Sequence, residues 1–226
     1  MKPPIKNMVL RRAPDGDVTQ WFGENPQLYA RFGMLYHNGI DLVRPHGEPM
    51  FAMEDATVAE VKDDPSGFGR HLRIISDKAD KNGEHNEWTY GHCHKIHVKQ
   101  NDKVKAGQLI AYMGNTGFTV SNSTGNGFWN INPYAGTHLH LGLRKIKWNK
   151  KGWRYRGSKL ERMDVMNYDN GTRGAIDPKV ILSGISDTHI AEEDIKMQIA
   201  ELKERVTLLQ QLQSLKDRLL SLMSKL

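Results

Sequence analysis

The chain has 226 residues, room for one large domain or two small ones, with 38% hydrophobic residues, 26% charged residues and a net charge of +6. No window approaches the ~20 uninterrupted apolar residues of a membrane-spanning helix, five Trp, seven Tyr and six Phe argue against disorder, and the single cysteine, Cys93, excludes an internal disulfide framework and a Cys-rich zinc finger. The positive balance favours a polyanionic partner such as nucleic acid, a membrane surface or an anionic cell envelope, and ten histidines raise the question of whether they are scattered or arranged.

Residues 1–17 read as an N-terminal lead-in. Lys2 and Lys6 resemble the charged start of an export signal, but Arg11, Arg12, Asp15 and Asp17 interrupt before any apolar run can form. From 18 to 184 the texture is mainly β. Short Val/Ile/Thr-rich segments at 56–62, 70–76, 87–92, 108–113 and 138–144 alternate with Gly, Asn and Asp clusters. Turns are expected at Asp64-Pro65-Ser66-Gly67 and at Lys81-Asn82-Gly83. Residues 114–136 form a long polar loop carrying Phe118, Phe128, Trp129 and Tyr134, and a loop of that length in a compact domain is usually functional or mobile. The stretch 144–162 is basic: Arg144, Lys145, Lys147, Lys150, Lys151, Arg154, Arg156, Lys159 and Arg162 stand against Glu161 alone, with Trp148, Trp153 and Tyr155 interleaved. It suits an anionic envelope polymer, a solvated hairpin around Asn149–Gly152 or, less well, nucleic acid. Beyond Pro178 the segment 185–226 changes character. Ile195, Ile199, Leu202, Val206 and Leu209, then Leu212, Leu215, Leu219, Leu222 and Leu226, trace a heptad seam whose register slips between Val206 and Leu215. Asp187 is a plausible cap. A homo-oligomerising helix over 191–226 and a helix packed back on its own domain both fit.

Three histidine clusters stand out. His37-Asn38-Gly39-Ile40-Asp41 can converge an imidazole and a carboxylate on one cation across a turn. Trp88-Thr89-Tyr90-Gly91-His92-Cys93-His94 would place Tyr90, His92 and His94 on one strand face, and Thr137-His138-Leu139-His140-Leu141-Gly142-Leu143 places His138 and His140 opposite Leu139, Leu141 and Leu143. Taken singly, each admits a bland reading as surface or core histidines.

In order, however, H-x-x-x-D, Y-x-H and H-x-H are joined by Gly67-Phe68-Gly69, Asp102-Lys103-Val104-Lys105-Ala106-Gly107-Gln108 and Gly114-Asn115-Thr116-Gly117. From about Val18 to Pro178 this arrangement closely resembles the lysostaphin/LytM-type zinc endopeptidases that cut peptides of bacterial peptidoglycan. The resemblance implies a lysostaphin-type antiparallel β-sheet catalytic domain, duplicated hybrid motif-like, followed here by the C-terminal helix or coiled coil. It implies one Zn²⁺ per chain on His37, Asp41 and His140, with His92 and His138 assisting the chemistry. A set of three protein ligands leaves a position open, as a catalytic site requires. His71, His46, His85, His97 and His189 have no part in the pattern, and Cys93 reads as a buried small apolar residue.

Two departures stand against the family pattern. Leu141-Gly142 follows H-x-H where many relatives carry Phe-Glu, and the loop 118–135 is longer than the usual connection. The expected partner is a peptidoglycan peptide, the expected place of action the bacterial cell wall, and the expected route a phage-type release or virion association. The alternative is a catalytically inactive relative that binds the wall or activates other hydrolases. A nucleic-acid-binding module would leave the ordered histidines unexplained.

Overall fold

In the computed structural model the described residues are 1–65, 67–119, 134–148 and 163–185, and, in the C-terminal segment, 199, 202–213 and 216. The chain divides into two units, Met1–Ser186 and Asp187–Leu226. The first is built from β1 (Val18–Gln20), α1 (Pro26–Ala30), β2 (Ile40–Leu42), β3 (Pro49–Phe51), β4 (Ala56–Asp64), β5 (Gly69–Ser76), β6 (Glu84–Tyr90), β7 (Cys93–Ile96), β8 (Lys103–Val104), β9 (Leu109–Met113), β10 (Leu139–Trp148), β11 (Met163–Val165) and β12 (Ala175–Ile176). A large sheet has the order β1-β2-β10-β6-β5-β4-β8, with β11 and β12 also pairing with β10, and a small sheet runs β3-β9-β7. All these strand pairings are antiparallel.

Strand alternation explains how β10 serves core and site together. Leu139, Leu141 and Leu143 are fully buried, on the opposite face from His140, Gly142 and Arg144. They join Leu72, Ile74, Trp88 and Tyr90 in one apolar core. At about 25 cal/mol per Å² of apolar surface, burial of each such side chain stabilises the fold by roughly 1.5–3 kcal/mol. The N-terminal lead-in is part of this core. Ile5 and Met8 are fully buried, and Phe51 N–H donates to the Pro4 carbonyl at 2.8 Å. At the other end residues 179–185 are helical and insert Leu182 and Ile185 into the same core.

The expected run of Tyr90, His92 and His94 along one face does not form. β6 ends at Tyr90, His92 adopts a left-handed conformation with φ 59°, and β7 starts at Cys93 in the other sheet. That single residue breaks the two-residue period. Tyr90 is therefore in the core, its hydroxyl donating to the Phe51 carbonyl at 3.0 Å, and not in the groove. Cys93 is fully buried, and burial pushes its thiol well above the usual range, so it is no nucleophile.

In the second unit residues 202–213 are helical, with Leu202, Val206, Leu209 and Leu212 exposed. Half of the heptad seam (Ile195, Leu215, Leu219, Leu222 and Leu226), Asp187, the Asn149–Gly152 turn and the aromatics Phe128, Trp129, Trp153 and Tyr155 lie outside the described residues. No helix among the described residues is long and apolar enough to cross a membrane.

Candidate metal centre

Antiparallel pairing of β2 with β10 sets Asp41 directly opposite His140. His37, three residues before β2, is drawn in by two backbone bonds: its N–H donates to the Glu24 carbonyl at 2.9 Å and its carbonyl accepts from Gly23 N–H at 3.0 Å. Gly39 allows this approach, because a Cβ there would stand 2.7 Å from His140 Cε1 and Nε2. His37 Nε2 lies 3.0 Å from His140 Nδ1 and 3.1 Å from Asp41 Oδ1, and His140 Nδ1 lies 3.0 Å from the same carboxylate oxygen. All three side chains are buried.

The donor set fits a cation. His37 Nδ1–H donates to the Trp21 carbonyl at 3.0 Å, which leaves a lone pair on Nε2. Two imidazole nitrogens and a carboxylate oxygen then meet with too few protons to satisfy one another. A tetrahedral ion bonded at ~2.1 Å would hold its ligand atoms about 3.4 Å apart, close to the separations observed. Burial works to raise the Asp41 carboxyl, but the surrounding imidazoles of His37, His138 and His140 hold it well below the usual range. Tyr29 stacks on His37 at 5.2 Å and Phe68 on His140 at 4.8 Å, so ring faces fix both imidazoles.

His92 and His138 stand beside this triad, their rings 4.5 Å apart. His92 Nδ1–H donates to the Thr116 carbonyl at 2.8 Å and His138 Nδ1–H to the Gly136 carbonyl at 2.7 Å, so each presents Nε2 as its free nitrogen. His138 Nε2 is 3.7 Å from Asp41 Oδ2. Burial, together with the neighbouring His138 and His140, keeps the His92 imidazole neutral far below its ordinary pKa.

The residues at this centre, His37 excepted, line a groove of about 1720 Å³ that sequence reasoning only partly anticipated. Tyr29 and Phe32, from α1 and its end, form one wall and carry no motif; Pro26 at the helix start was the available signal. Arg31 lies over the rings of both Phe32 and Phe118, at 5.0 and 4.6 Å. The floor continues into a network in which Arg144 pairs with Glu87 and Arg73 with Glu60 at 2.9 Å. His71 is buried, 3.8 Å from Glu60, and has no contact with the triad. His46, which has no part in the sequence pattern, faces the groove against His94 and Tyr134. Arg144 and Lys145, expected to belong to an outward basic patch, are engaged within the domain, Lys145 with Asp80 at 2.9 Å.

The sequence profile described as peptidase family M23 matches residues 35–154, just over half of the chain. The chain belongs to peptidase family M23. Its M23 region contains all five residues of the histidine–aspartate constellation, whereas α1 precedes it. Lysostaphin of Staphylococcus simulans is 33% identical over 120 residues, covering 50% of this chain and 23% of that protein. The glycyl-glycine endopeptidase ALE-1 of Staphylococcus capitis is 33% identical over 85 residues, 38% of this chain and 22% of that one. The matched stretch thus spans under a quarter of these curated relatives. Among solved structures, the catalytic domain of the prophage-encoded M23 protein EnpA from Enterococcus faecalis is 30% identical, covers 61% of this chain and 86% of that chain, and superposes with a TM-score of 0.42.

Proposed function

We propose that this M23 chain is a zinc-dependent endopeptidase that hydrolyses peptide bonds in peptidoglycan stem peptides or cross-bridges. The observation that carries the reading is the buried triangle of His37 Nε2, Asp41 Oδ1 and His140 Nδ1, with sides of 3.0–3.1 Å, opening into a groove beside two further histidines. His37, Asp41 and His140 would hold the ion. When bound, zinc supplies a Lewis acid that acidifies water to a pKa of about 7 and polarises a carbonyl.

The chain's own residues supply the rest. His92, neutral and anchored through Nδ1, offers Nε2 to accept a proton from the attacking water. His138, anchored through Gly136, presents Nε2 beside Asp41, and in its protonated, imidazolium form it can donate from that nitrogen to the developing oxyanion. The two histidines can exchange these roles, because both are anchored in the same way. Tyr29 and Phe68 hold the ligand imidazoles in orientation, and the groove accepts an extended peptide. The presence of all five residues argues against the inactive-relative alternative.

The test is zymography on purified peptidoglycan with wild type, His140→Ala and chelator-treated protein, followed by mass spectrometry of the fragments. New peptide ends from wild type alone are expected. Full activity in the mutant or the stripped protein would sink the mechanism.

The reading places the protein at the bacterial cell wall, on the extracellular or periplasmic side. Two finer proposals accompany it. Envelope binding rests on 147–162 once Arg144 and Lys145 are assigned to the domain. Self-association through 191–226 rests on the exposed Leu202, Val206, Leu209 and Leu212. Sedimentation of a chain ending at Ser186, which keeps the buried Ile185, tests the second; an unchanged oligomeric state rejects it.

A further inference from the structure

His140 differs from the other histidines of the centre in how its second nitrogen is treated. His37, His92 and His138 each donate Nδ1–H to a backbone carbonyl, at 3.0, 2.8 and 2.7 Å. His140 turns Nδ1 toward Asp41 and His37, so its proton belongs on Nε2. That Nε2 is buried and has no hydrogen-bond partner among the described residues. Phe68 covers the ring face, and Gly39 packs so tightly that a Cβ on it would be 2.7 Å from Nε2. An imidazole that ligates a metal ordinarily donates its other N–H to an acceptor, which fixes the ring and raises its basicity.

The position from which an acceptor could come is Gly142. It lies two residues along β10 on the same face as His140, and pairs across the strands with Thr89. A Cβ at 142 would stand 3.7 Å from His140 Nε2 and 3.4 Å from Thr89 Cβ, both ordinary contacts. Gly142 is also absent from the positive-φ glycines. Neither space nor backbone conformation demands glycine there, unlike at Gly39.

We propose that Gly142 is a tuning position of the metal centre: by presenting no side-chain acceptor to His140 Nε2, it leaves the ion more weakly held and more readily exchanged than the same three ligands would otherwise hold it. The proposal rests on the assignment of His37, Asp41 and His140 as metal ligands. Outer partners of ligand histidines are worth about 10–100-fold in metal affinity, so supplying the missing one should recover a factor of that order.

The experiment compares wild type with Gly142→Asn and Gly142→Gln, which offer a carbonyl at two reaches, and with Gly142→Ala, which adds the Cβ alone. Zinc affinity and release rate are read by competition with a chromophoric chelator, and folding by circular dichroism. At least one carbonyl variant is expected to bind zinc about tenfold or more tightly and to release it more slowly, with Ala close to wild type. Equal affinities throughout, or equal tightening by Ala, would overturn the proposal. Should the carbonyl variants not fold, imidazole NMR of zinc-loaded wild type decides. An Nε2–H signal without the downfield shift of a hydrogen bond supports the proposal, and a strongly downfield one refutes it. A wild type that binds no zinc would instead remove the ligand assignment beneath it.

Discussion

Two clusters of buried or half-buried polar side chains share one face of the large sheet, and they differ in how their charges close. At the β2–β10 end His37, Asp41 and His140 bring together acceptors that outnumber their protons. Along the floor Glu60 meets Arg73 and Glu87 meets Arg144, so each carboxylate has a guanidinium. Burial would raise the Glu60 carboxyl, but His71 and Arg73 hold it below its ordinary value. The contrast teaches that burial of titratable groups does not by itself mark a site. An imbalance that an external cation would correct does so, and a balanced network reads as structure.

The largest expected effect would break the first cluster. His140→Ala should abolish stoichiometric zinc binding, measured by metal analysis after dialysis, and bring peptidoglycan release to background. His92→Ala separates chemistry from binding. It should retain one zinc per chain while lowering the hydrolysis rate roughly 10²–10⁴-fold, and a loss of metal in this variant would reassign it as a ligand.

The second cluster should answer differently. Arg144→Met leaves the Glu87 carboxylate buried without its guanidinium, and urea unfolding should record a loss of about 3–5 kcal/mol, whereas the double change with Glu87→Met should be far milder. Zinc stoichiometry should be unchanged in the folded fraction. Zinc loss in either variant would mean that the two clusters are coupled. The smallest effect belongs to an exposed pair. Lys145 and backbone N–H groups bring the Asp80 carboxyl down to about 2 from 3.8. Because the folded-state value is depressed, its contribution is present above the unfolded pKa and is lost as pH falls from 3.8 towards 2. Lys145→Ala should flatten the fall in melting temperature over that window; an unaltered profile would show that the pair is fully screened.

Much of the site was legible in sequence because its residues sit in short motifs on strands of fixed period. The alternation of Leu139, Leu141 and Leu143 with His138 and His140 predicted which face of β10 meets the core. Period alone failed at Tyr90 and His92, where one left-handed residue moves the chain between sheets. The aromatic wall of Tyr29 and Phe32 was invisible for a different reason: its role comes from lying over residues distant in sequence, as in the Phe32–Phe118 contact. The basic character of 144–162 overstated its outward charge, since composition does not reveal that Arg144 and Lys145 face Glu87 and Asp80.

The sequence by itself determined the mainly β class, the five ordered histidine and aspartate residues, and the buried, unreactive state of Cys93, because each follows from local period, spacing or size. Tertiary structure alone decided which atoms of those residues meet. The β2–β10 register sets Asp41 against His140, a backbone loop delivers His37, and the glycines at 39 and 142 govern what His140 can touch. Those outcomes depend on pairing between segments about a hundred residues apart, and no local pattern encodes a register.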